Sequence, residues 1–328
     1  MSFKRNVVLG SLIAGCMLSI IGTGHAAPPP ADYPRKPITF YIGYAPGGSA
    51  DNVGRLLLPQ LEARIGQTII LDNRSGGGGA IGLGTVARSA PDGYSMGFGT
   101  GGALTANVHL VPNLPYNPLT SFEYVGMTVL FPIVLVARSD SNFTTIQDVL
   151  DTAKTKTLSF GSAGIASSTH LAGELLNQMA GIKLSHVPYK GTGPAALDVI
   201  GGHLDLAFVD LPTAVPHVQS GKLRLLATTS PERSRLIPDI PTIAESGVPG
   251  YQFTTWFGIV VPKDTPKEIV DYLNTELVAL LKQDQVAEQL RRAGAEPFIS
   301  TPEEMRSIVE REMKRVGKVI TAAGISLQ

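Results

Sequence analysis

The chain has 328 residues, room for about two domains of roughly 100 to 200 residues each. Lys plus Arg and Asp plus Glu both total 27, so the chain lacks the basic footprint of a general nucleic-acid or anionic-membrane binder. At 43% hydrophobic and 16% charged residues it can bury a large core, which excludes disorder over most of its length; 36 Gly and 24 Pro without a period read as many tight turns.

Lys4 and Arg5 precede an apolar run over residues 7–21, and small residues then lead into Pro28, Pro29 and Pro30. This is the order of a secretory signal peptide, and the run is too short for a membrane span. Cleavage is expected after Ala26, so residues 1–26 are the expected signal. Cys16 follows Ile13, Ala14 and Gly15 in the manner of a lipoprotein signal and offers a competing lipid anchor. Cleavage after Ala26 removes the one cysteine, which excludes disulfides and thiolate metal sites. It also removes Lys4 and Arg5, leaving 25 basic against 27 acidic groups. No large field then attracts anions, so any anion site has to be local.

From Pro37 short apolar, β-branched runs alternate with helical stretches, the pattern of an α/β fold. Segments 38–44, 68–73, 95–100, 157–161, 204–209 and 223–228 read as strands. Helical periodicity is clearest where Ile269, Leu273, Leu277 and Leu281 recur on one face. Thr265, Pro266 and Glu268, and again Thr301, Pro302 and Glu304, are spaced as an N-cap threonine, a proline at the first helical position and an acid at the third. The apolar stretch 124–138, interrupted by Phe131 and Pro132, reads as a strand passing between lobes, and 251–261 as a second crossing. Residues 27–130 and 253–328 would then form one lobe and 131–252 the other; one continuous sheet is the competing reading.

Four strands end in loops rich in Gly, Ser and Thr that run into helices, and open α/β sheets gather ligands beyond the carboxyl ends of their strands. In the first loop, 44–51, Gly47 and Gly48 let the backbone turn, and Ser49 can cap a helix carrying Val53, Leu57, Leu61 and Ile65. Bare N–H groups and the positive end of the macrodipole suit a carboxylate or phosphate there. Asp51 is expected to fix the loop or to accept a bond from a ligand hydroxyl or amine. The second loop, 160–170, supplies Ser162, Ser167, Ser168 and Thr169 and opens a helix with Leu171, Leu175, Leu176 and Met179 inward, a second anion cradle facing the first. Thr100 and Asp210 end the strands of the other two loops.

Sharper chemistries fail on spacing. Ser168 with His170 as base would make a hydrolase, but the two point to different helix faces and no GxSxG elbow is present. His170 and Glu174 lack a third metal ligand. Residues 77–82 satisfy GxGxxG, yet 97–104 hold no acid for a ribose, so the run reads as a surface turn with a helix start. No catalytic residue, metal or cofactor is expected.

The same residues carry a family likeness. The chain resembles the tripartite tricarboxylate transporter substrate-binding proteins, the Bug family of bacterial periplasmic receptors, in PGGSAD, DNRSGGGGAIG, APDGY, LPYNP, STHLAGELL, HVPYKG, FVDLPTA and DIPTIAESGVPGY, with matching order and spacing. This resemblance implies a periplasmic-binding-protein-like Venus flytrap: two α/β lobes, joined by two crossing strands, that close over a small organic acid. The acid would be delivered to the large and small membrane subunits of a tripartite tricarboxylate transporter. It further implies a periplasmic monomer. Ligand contacts would come from Tyr44, Gly48, Ser49 and Asp51 in one lobe and Ser162, Gly164, Ser167, Ser168, Thr169 and His170 in the other, with Thr100 and Asp210 at the remote end. Ile165 and Ala166 depart from the family's second loop and imply a less polar pocket; Pro59 implies a kink or early end in the first helix. A ligand-sensing receptor of the same fold feeding a signalling partner is the alternative.

Overall fold

The computed structural model describes residues 30, 32–322 and 324–325; the expected signal and Cys16 lie outside the described residues. The first half begins with β1 (Ile38–Ile42), α1 (Ser49–Ile65), β2 (Ile69–Asn73), α2 (Ala80–Ala87), β3 (Ser95–Thr100) and the short α3 (Asn107–Leu110). Strand β4 (Phe122–Arg138) then leads into α4 (Ile146–Ala153), β5 (Leu158–Ser162), α5 (Ser168–Ala180), β6 (Leu184–Pro188), α6 (Thr192–Ile200), β7 (Leu206–Asp210), α7 (Leu211–Gln219) and β8 (Leu223–Thr228). The chain returns through β9 (Thr254–Pro262) to α8 (Lys267–Leu281), α9 (Asp284–Arg292), β10 (Glu296–Pro297) and α10 (Pro302–Ala322).

The strands follow the path β2-β1-β3-β9-β4-β7-β5-β6, with β8 and β10 each added to β4. Residues 122–132 of β4 pair with β9, whereas residues 133–138 pair with β7 and β8. The hydrogen-bonded path is therefore continuous, and β4 is shared between two halves with separate cores. Both halves carry helices on both faces, as buried parallel strands require. Phe40, Phe98 and Ile42 pack under α1 and α8, and Tyr124, Met127 and Val260 under α2 and the start of α10. In the second half Phe160, Phe208 and Leu135 pack with α4 and α5, and Val134, Val136 and Val209 with α6 and α7. Helix α10 straddles the halves: Met305 and Val309 join the first half's core, Val316 and Ile320 the second's.

Local details depart from the sequence reading for identifiable reasons. Helix α1 runs through Pro59 to Ile65 rather than ending early; burial of Leu57, Leu58 and Leu61 holds the turn together against the lost donor. Pro266 sits at the cap of α8, and the Thr265 hydroxyl donates to the Pro262 carbonyl instead of capping the helix. At α10 the expected box forms: the Glu304 N–H donates to Thr301 Oγ1 at 3.1 Å and the Thr301 N–H to Glu304 Oε2 at 2.8 Å. Thr301→Ala is therefore expected to cost about 1 kcal/mol of stability in urea unfolding, with ligand affinity unchanged; an unaltered midpoint contradicts that role.

Candidate functional site

Strand ends from both halves meet at one small cleft. Its wall comprises Tyr44, Gly48, Ser49 and Thr100 from the first half, Ala163, Ser167, Ser168, Thr169, Thr192 and Asp210 from the second, and Thr255 and Phe257 from β9. Four helices, α1, α5, α6 and α7, start at or beside this wall. Gly48 and Gly191 occupy the N-cap positions of α1 and α6 with no side-chain cap bond. First-turn N–H groups have no intrahelical acceptor, so those left free of a side-chain cap are available to an anion. Ser167 caps α5 by accepting from the His170 N–H at 3.2 Å.

Ser49 is not the cap that the sequence suggests. It is the first helical residue, and its hydroxyl donates across the cleft to Asp210 Oδ2. Close inter-half contacts surround this bond: the Ala45 N–H donates to the Lys190 carbonyl at 2.7 Å, Asn52 Nδ2 to the Pro212 carbonyl at 3.1 Å, and the Ser49 N–H to Thr192 Oγ1 at 3.4 Å. The cavity between them is about 20 Å³, on the order of the room one water needs. Burial raises the Asp210 carboxyl to about 7 despite the Ser49 hydrogen bond that favours its ionised form.

Eight of the twelve residues expected from the sequence line the cleft, and Asp51, Ser162, Gly164 and His170 do not. Asp51 turns back on its own loop, where Oδ2 accepts from the Gly47 N–H at 3.1 Å and from Arg55 Nε at 2.9 Å. Burial alone would raise its carboxyl, but these donors outweigh it and hold it below the ordinary range. Ser162 bonds His186 at 2.6 Å beneath the second loop, and the Gly164 carbonyl accepts from Ser167 Oγ at 2.6 Å. His170 stacks on His186 with centroids 4.0 Å apart and accepts from the Ala166 N–H at 3.2 Å. Burial lowers His170 to about 4; burial and then repulsion from His170 lower His186 to about 3, so both imidazoles are neutral near pH 7. These four residues shape the loops that present the wall.

Other readings need correction as well. Ile165 is half-exposed and Ala166 packs into the second core, so neither makes the cleft less polar; Phe257 does. The glycine run 77–82 opens α2 at Ala80 as expected, but of its glycines Gly77 alone is at the surface. Gly78 and Gly79 are buried, and the Gly78 carbonyl accepts from the Tyr44 hydroxyl at 3.0 Å, which also meets Thr100 Oγ1 at 2.9 Å. Thr192, Thr255, Ala163 and Phe257 were not singled out from the sequence. Gly191 before Thr192 carried the strand-end, helix-start signal used for the other loops. Among the described residues no cluster of three or more His, Cys, Asp or Glu could hold a metal, and no helix is long and apolar enough to cross a membrane.

A cleft between two α/β halves, walled by hydroxyls and helix starts and spanned by two shared strands, is the site of a solute-binding protein of the Venus-flytrap class. The chain belongs to the tripartite tricarboxylate transporter receptor family: residues 53–325 match the family model described as "Tripartite tricarboxylate transporter family receptor". It is 34% identical to Protein BugT of Bordetella pertussis over 321 residues, covering 95% of this chain and 98% of that protein. The periplasmic binding protein BugD superposes with a TM-score of 0.85 at 35% identity, over 90% of this chain and 100% of that one. An R. palustris protein solved with adipate gives 0.87 at 35% identity, over 90% and 99%. MatC from Rhodopseudomonas palustris, with bound malate, gives 0.83 at 30% identity, over 88% and 100%.

Proposed function

We propose that this protein captures a small organic acid by closing its lobes on a carboxylate and delivers it to the large and small membrane subunits of a tripartite tricarboxylate transporter. It acts as a monomer in the periplasm after loss of residues 1–26. The lobes are residues 27–130 with 253–328, and residues 131–252. One observation carries the reading: helix starts from both halves reach a cleft whose wall has no cationic side chain. A carboxylate held there takes its countercharge from backbone N–H groups and hydroxyls, and it touches both halves only when they are together. Ligand binding then shifts the population toward the closed form. Charge-assisted hydrogen bonds of roughly 1.5 to 3 kcal/mol each, less the cost of association, suit roughly micromolar affinity.

The relatives solved with adipate and malate make dicarboxylates the first ligands to try. A thermal-shift panel of mono-, di- and tricarboxylates, aromatic acids, amino acids, sugars and phosphate on the chain starting at Ala27 tests the reading. Stabilisation by at least one carboxylate is expected; stabilisation by phosphate or sugars alone contradicts it. Ser49→Ala, which removes the bond to Asp210, is expected to weaken the best acid by about five- to tenfold, close to 1 kcal/mol. Calorimetry showing wild-type affinity would remove Ser49 from the mechanism.

A further inference from the structure

On the face of the crossing strands opposite the cleft lies a groove of about 420 Å³, within the usual size range of small-molecule sites. The alternation of strand β9 separates the two: Thr255 and Phe257 face the cleft, whereas Thr254 and Trp256 face the groove. Leu130, paired in register with Trp256, is the single exposed residue of β4 and lies on the groove floor. Phe253, Phe298 and Ile308 continue this apolar surface.

The rim carries Arg311, Arg315 and Glu312. Arg315 is held by Glu312 at 2.6 Å and lies over the Phe253 ring at 5.8 Å. Arg311 is exposed on the same rim and, among the described residues, has no ion-pair partner. Trp256 is 4% exposed. Its indole N–H has no acceptor among the described residues, although Trp256 lines both the groove and a smaller cavity reaching Ser168 at the cleft. An apolar trough with one uncommitted guanidinium at its edge complements a molecule with an apolar body and a single negative end.

We propose that this groove is a second binding site for an amphipathic monocarboxylate, its body on Leu130 and Trp256 and its carboxylate on Arg311, and that occupancy favours the closed form. The coupling follows from position. Groove walls come from both halves: Pro231 and Gln252 on one side, Ile308 and Arg311 on the other. The floor lies two residues from the point where β4 passes from β9 to β7. Bending these strands to part the lobes on the cleft face brings the groove walls together on the opposite face. A molecule wedged between them resists that bend, and by linkage closure of the cleft tightens its binding.

Trp256 is the one tryptophan of the chain and lines both the groove and the cavity that reaches the cleft, so its fluorescence reports binding and the Arg311 and Leu130 variants assign that binding to the groove. Octanoate is the probe. Titration of the mature protein is expected to give a saturable change in Trp256 emission, confirmed by calorimetry. Arg311→Ala should weaken it about tenfold or more, and Leu130→Asp, at an exposed position that leaves folding intact by circular dichroism, should abolish it. Absence of saturable binding to the wild type, or equal binding by both variants, overturns the site. X-ray scattering at saturating octanoate tests the coupling: the radius of gyration should fall, and an unchanged or larger value overturns the linkage to closure.

Discussion

Replacing Gly193 with valine is expected to reduce carboxylate affinity at least about 100-fold, close to 2.7 kcal/mol, while the protein stays folded. A β-carbon at Gly193 would lie 2.7 Å from the Gly47 carbonyl carbon and 2.9 Å from the Gly48 nitrogen, far inside the separation at which carbon atoms attract. Gly47 and Gly48 belong to the opposing half, so the clash exists only when the halves meet. Within its own half the residue sits in the first turn of α6, where valine is a better helix former than glycine by a few tenths of a kcal/mol. Affinity should therefore collapse with little change in melting temperature, and scattering should show a more extended molecule. Wild-type affinity in a folded variant would mean that the ligand is held without this approach.

Asp210→Asn is expected to remove a pH dependence that the wild type carries through this single carboxyl. Its folded value is raised to about 7 by burial, against an unfolded value near 3.9. The folded state therefore holds the proton more tightly. The resulting stabilisation is complete below the unfolded value and is lost as pH rises through the folded one. Between about pH 6 and about pH 8 the wild type should lose about 1.4 kcal/mol relative to the asparagine variant. His170 and His186, both lowered by burial, act in the other direction: their contribution is present above the unfolded histidine value and is lost as pH falls toward 4. Comparing the two proteins cancels that contribution. Carboxylate affinity should follow the same course, because an ionised Asp210 places a like charge on the cleft wall. Paired urea melts and calorimetric titrations across this range decide it; parallel profiles for the two proteins would show that Asp210 does not titrate there.

What the sequence revealed and what it concealed divide along physical lines. Long-period patterns were legible: β4 was visible as a long apolar stretch over 124–138, despite the interruption at Phe131 and Pro132, and the capping box at Thr301 and Glu304 formed as spaced. Strand β6 was not, because Leu184 is its one fully buried residue and no apolar run marks it. Tertiary packing overrode local propensity at Pro59, which stays helical because the leucines around it are buried. The glycine run 77–82 was legible as a helix start but not as a close contact, because glycine marks close backbone approach as readily as a turn, and here Gly78 lies against the Ile165 carbonyl of the other half. Ser49 shows the same limit at the site. Its type and spacing suit a helix cap, but its partner, Asp210, is 161 positions away, and no local pattern specifies that pairing. Strand-end loops were found because a parallel sheet puts them on one edge; which side chains in each loop face the cleft depends on the turn geometry, and Asp51 and His170 turn away.

The most direct measurement is a crystal structure of the mature protein with the tightest acid from the thermal-shift panel. The expected result is a carboxylate within hydrogen-bond distance of N–H groups or hydroxyls at the start of α1 and, at the same time, at the start of α5 or α6. A carboxylate contacting one half alone, or bound away from these helix starts, contradicts capture by closure.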